Sequence, residues 1–68
     1  MKLLEYCNHI GKKVRVETYD GLFFEGELAS YDSSMVEETE YDGITLHPEN
    51  ESYGLVLYEN EISRIEFI

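Results

Sequence analysis

The 68-residue chain has no tryptophan, one proline, one cysteine and only five cationic side chains, and each shortage removes a class of protein. The single thiol, Cys7, makes no internal disulfide. A secreted domain this small would ordinarily carry several, so a reducing cytoplasm is the expected compartment. No apolar run approaches the roughly 18 residues of a membrane span, and the first residues hold no apolar stretch of roughly 7–15 residues as in a signal peptide. A soluble cytoplasmic protein without membrane contact is therefore expected. The lack of tryptophan weighs against an aromatic groove for proline-rich peptides. Five Lys and Arg against fifteen Asp and Glu leave a net charge of −10. That charge repels polyanions and leaves few of the groups with which nucleic-acid binders displace counterions.

What remains is the composition of a folded domain: 43% of residues are hydrophobic, and no low-complexity tract interrupts them. The length supports one core only, so residues 1–68 are expected to form a single domain. The acidity has two readings. It is either a solvated surface that keeps the chain dissolved, or a field that attracts a partner with a basic surface.

Leu3, Leu4, Cys7 and Ile10 follow a helical spacing that ends at Gly11, which predicts a short helix over about 2–9. The period then becomes two. Val14 and Val16 alternate with Lys13, Arg15 and Glu17, and after the turn signal Asp20-Gly21, Phe24, Gly26 and Leu28 alternate with Phe23, Glu25 and Glu27. Strands are predicted at about 12–19, 22–31, 44–47, 53–59 and 62–68, with Gly26 marking a bend and Ser33–Tyr41 an exposed loop or hairpin tip. Short strands joined by tight turns pair antiparallel. The expected fold is mainly β, a bent five-stranded antiparallel barrel behind a short N-terminal helix, because closure removes exposed edges.

Gly11, Val14, Val16, Asp20-Gly21, Phe24, Gly26, Leu28, Asp32 and Met35 stand in an order that resembles the first motif of the Sm-like (Lsm) small barrels, whose fold is also SH3-like. Ile62-Ser63-Arg64-Ile65 is similar to that family's final strand. The resemblance implies self-association into a homo-oligomeric ring through the fourth and fifth strands. It also implies single-stranded RNA binding, but Val36 and Tyr58-Glu59 stand where RNA-binding members carry their Asn and Arg-Gly, so only Asp32 has a counterpart. A second similarity, over about residues 3–32, is to acidic Sm-like proteins of the Rho-binding antiterminator type, which contact protein instead of nucleic acid.

No nucleophile–base pair, carboxylate dyad or metal shell is legible. Neither catalysis nor a cofactor is expected, and a non-catalytic binding module is. Cys7 and His9 are two apart on a helix and do not face each other. Glu37, Glu38, Glu40 and Asp42 lack the order of a rigid calcium loop and read as solvated. The candidate binding residues are Asp32 and Met35 from the motif, Tyr31, Phe23, Tyr53 and Tyr58 as aromatic contacts, and Leu55 and Leu57 on a strand able to pair by its edge. The expected partner is a protein with a basic surface, or a second copy. RNA stacked on Phe23, Tyr31 or Tyr53 is the alternative, opposed by the charge.

Overall fold

A computed structural model describes residues 2–68. The chain opens with the expected short helix, Leu3–His9, which is of the 3₁₀ type. Three residues per turn align positions i and i+3, so Leu3, Tyr6 and His9 form the inner row. Leu3 is fully buried and Tyr6 and His9 are half-buried, whereas Leu4 and Ile10 of the expected stripe face solvent. Cys7 is half-buried beside that row. The Tyr6 and His9 rings stand 5.9 and 4.9 Å from that of Phe67, which holds the helix against the end of the last strand.

The period-two segments form strands with the expected faces. β1 (Lys13–Thr18) turns Val14, Val16 and Thr18 inward, and β2 (Phe23–Asp32) turns Phe24, Gly26 and Leu28 inward. Gly21 takes φ +86° in the turn between them, a conformation that few other residues adopt without strain. β2 is long enough to pair twice, with β1 through Phe23–Glu27 and with β3 (Gly43–His47) through Glu27–Asp32. Between Leu28 and Ser30 the register shifts, so Ala29 is skipped and the strand kinks. Gly26, two residues before this kink, permits close approach of the end of β3: a Cβ there would stand 2.9 Å from Pro48 Cα and closer still to the His47 carbonyl.

β4 (Leu55–Tyr58) and β5 (Ile62–Phe67) complete one antiparallel sheet in the order β4-β3-β2-β1-β5. Among the described residues, nine apolar side chains form the core: Leu3, Val14, Val16, Leu28, Ile44, Leu46, Leu57, Ile62 and Ile65. The fourth strand starts at Leu55, two residues later than expected, since Ser52 and Tyr53 lie in a bend and Gly54 joins it to the strand. Within the segment read as a loop, Ser34–Glu37 forms a one-turn helix, α1, where the Ser33 hydroxyl accepts the Met35 N–H at 3.2 Å. The expected closure into a barrel does not occur, and β4 and β5 remain the two edges. Only Glu59–Glu61 separates these strands, and that turn takes up the backbone groups with which Tyr58 would otherwise pair. No helix of the described residues is long and apolar enough to cross a membrane.

Candidate binding edge

The free side of β4 follows from the hydrogen-bond ladder. Glu59 N–H donates to the Asp42 carbonyl at 2.8 Å, continuing the β3–β4 pairing. Backbone groups two residues apart on a strand point the same way. Leu55, Leu57 and Glu59 therefore face β3, while Val56 and Tyr58 point N–H and C=O outward. At Tyr58 both groups are occupied: its N–H donates to Glu61 Oε1 at 3.0 Å, and Glu61 N–H donates to its carbonyl at 2.9 Å. Val56 has no such partner among the described residues. Its unpaired backbone is a short template for another strand.

Two concavities meet at Val56. Inside the curl of the sheet, an open groove of about 400 Å³ runs between β4 and the β1–β2 turn. Leu22, Phe24, Leu55 and Leu57 supply its apolar surface, and Asp20 and Glu61 stand at its rim. On the opposite face, Val56 and Tyr58 share a smaller hollow of about 240 Å³ with Asp32, Glu37 and Thr39. No lysine or arginine lines either one.

A polar latch anchors α1 next to this hollow. The Tyr31 hydroxyl donates to Asp42 Oδ2 at 2.6 Å, and Ser34 N–H donates to Asp42 Oδ1 at 2.8 Å. The hydrogen bond to Asp42 pushes the Tyr31 hydroxyl up to about 12, with partial burial adding to it. Donation from Tyr31, and then from Ser34, holds the Asp42 carboxyl below the usual range. The Thr45 hydroxyl donates to Asp32 Oδ2 at 3.2 Å, which keeps that carboxylate on the Val56 face.

The fold gathers Asp32, Tyr58, Leu55 and Leu57 around the edge of β4. Leu57 reaches the groove from the core, with 5% of its surface exposed. The other candidates are dispersed. Tyr31 is half-buried and held by Asp42, Met35 projects from α1 with 89% exposure, and Phe23 lies exposed at the start of β2. Tyr53 borders a separate hollow with His47, Glu25 and Glu27. Sequence reasoning missed Val56, Leu22, Phe24 and Glu37. For Val56 the signal was present: in Leu55-Val56-Leu57 a period of two turns the leucines in and the valine out.

Three of the five cationic side chains pair with carboxylates away from this edge. Arg15 Nε donates to Glu25 Oε2 at 2.6 Å, Lys13 Nζ stands 3.9 Å from Glu49 Oε1, and Arg64 pairs with Glu66. Of the basic trio Lys12, Lys13 and Arg15, the last two thus stand beside carboxylates. Among the described residues, no three His, Cys, Asp or Glu side chains converge as metal ligands would. No protein-family model matches this chain, and neither the curated proteins nor the solved structures gave a match.

Proposed function

We propose that this chain is a non-catalytic binding module that meets a protein through the free edge of β4. The observation that carries the reading is the open backbone of Val56, set between an apolar groove and a carboxylate-lined hollow. Main-chain bonds at such an edge supply affinity, and the side-chain sites on either face supply selectivity. The charge of −10 favours a basic partner over another copy of the chain, because like-charged copies repel. RNA is disfavoured because Lys13, Arg15 and Arg64 are already paired with carboxylates.

A Val56→Pro variant tests this. Proline is tolerated on an edge strand whose N–H faces outward, yet it removes the donor and obstructs an incoming strand. Immobilised wild-type protein is expected to retain one defined protein from extract of its own cells. The variant, with unchanged far-ultraviolet circular dichroism, is expected to lose it. Binding of labelled oligo-U at micromolar protein, weakening steeply with added KCl, would replace this reading with the RNA one.

A further inference from the structure

Given that reading, we infer that the β4 edge takes an extended basic segment of the partner, with lysine or arginine opposite Val56 and apolar residues immediately before and after it. Successive side chains of an added strand point to opposite faces of the sheet. The residue paired with Val56 shares the face of the Val56 side chain, which is where Asp32 and Glu37 stand. Its two neighbours fall on the other face, over Leu22, Phe24, Leu55 and Leu57. One face therefore selects positive charge and the other apolar bulk. The order apolar–basic–apolar follows from the alternation, not from composition alone. Asp20 and Glu61 at the groove rim extend the same electrostatic preference to the flanks of the segment. Glu61 also fixes where pairing stops, because its carboxylate and N–H already occupy the backbone of Tyr58.

The second copy is the competing occupant, and charge decides against it. Around Val56 the edge presents Asp20, Asp32, Glu37 and Glu61. On the outer strand of another copy, Arg64 is neutralised by Glu66. Such a strand brings no net positive charge to the carboxylates, whereas a segment with unpaired lysines does.

The test uses three capped peptides on the uniformly ¹⁵N-labelled full chain: Ser-Lys-Val-Lys-Leu-Lys-Ser, a scramble that breaks the alternation (Lys-Lys-Val-Leu-Lys-Ser-Ser), and the first with glutamate for each lysine. The alternating peptide is expected to move the Val56 amide resonance downfield and slow its hydrogen exchange, with about tenfold tighter binding than the scramble and none by the glutamate peptide. Val56→Pro, followed through the amides of Leu55 and Leu57 since proline has none, is expected to abolish binding of the alternating peptide, and Asp32→Asn with Glu37→Gln to weaken binding while leaving the fold intact. Equal affinity for the alternating and scrambled peptides would reduce the effect to diffuse attraction and overturn the inference. So would shifts centred away from β4. A light-scattering mass well above 8.0 kDa without peptide, with Val56 shifts that depend on protein concentration, would give the edge to a second copy. If Val56→Pro loses the captured protein but no peptide binds, the edge reading stands and the basic-segment inference fails.

Discussion

Gly26→Ala sets two effects of opposite sign against each other at the bend that holds β3, and through it β4, in place. Gly26 does not have a positive φ, so alanine fits its backbone. Restricting the unfolded chain then stabilises the protein by about 0.4–1 kcal/mol. Against this, the new methyl group would meet the backbone of His47 and Pro48, with Pro48 Cα 2.9 Å away. Backbone cannot rotate aside like a side chain, so β2 and β3 must separate locally, at the roughly 1–3 kcal/mol typical of overpacking. At the centres of both ranges packing wins, leaving a net loss of about 1.3 kcal/mol. A domain of this size has roughly 3–10 kcal/mol in total, so the variant stays folded and measurable. Its Tm is expected to fall by about 5–15 °C in a thermal melt followed by far-ultraviolet circular dichroism. Gly54→Ala is the control: there the close neighbour is the Thr45 Cγ2 methyl at 2.9 Å, a side-chain atom that can yield, so the fall should be smaller. A Gly26→Ala protein as stable as wild type would refute the claim that the bend depends on close backbone approach.

Tyr31→Phe removes the donor to Asp42 and should lower Tm most between about pH 5 and pH 9. A raised tyrosine pKa stabilises the fold fully below the unfolded value of about 10 and loses that contribution as pH rises towards 12. A lowered carboxyl pKa stabilises above the unfolded value of about 3.9 and fades as pH falls through and below it. The difference in Tm between wild type and variant should therefore shrink at both ends. A difference constant from acid to alkali would dismiss the latch. Leu3→Ala and Leu4→Ala separate a 3₁₀ from an α-helical N-terminus: the first should cost about 2–5 kcal/mol by urea denaturation and the second less than about 0.5. Comparable losses at both positions would restore the α-helical stripe.

Alternation along the chain determined most of the sheet. Val14 with Val16, and Phe24, Gly26 and Leu28, lie inward because side chains of a strand alternate by local geometry, whatever it pairs with. Asp20-Gly21 likewise announced its turn through the one residue that takes positive φ without strain. Other features were beyond local reasoning. Leu3, Leu4, Cys7 and Ile10 suit an α stripe, yet seven residues make a marginal helix whose pitch is set by what it packs against, and Tyr6 and His9 on Phe67 select the 3₁₀ row. The latch joins Tyr31 to Asp42 across eleven positions, and no spacing rule indicates such a pair.

The same division runs through the candidate site. By itself the sequence determined a small acidic β domain with a fourth strand within about 53–59 and a charge that favours basic partners, since composition and period are properties of the chain. Only the tertiary structure decided that the sheet stays open, that Val56 rather than Tyr58 presents free backbone, and that Leu22, Phe24, Asp32 and Glu37 flank it. Those facts depend on ladder parity, on a glutamate three residues away capping one position of the edge, and on segments brought together from three parts of the chain.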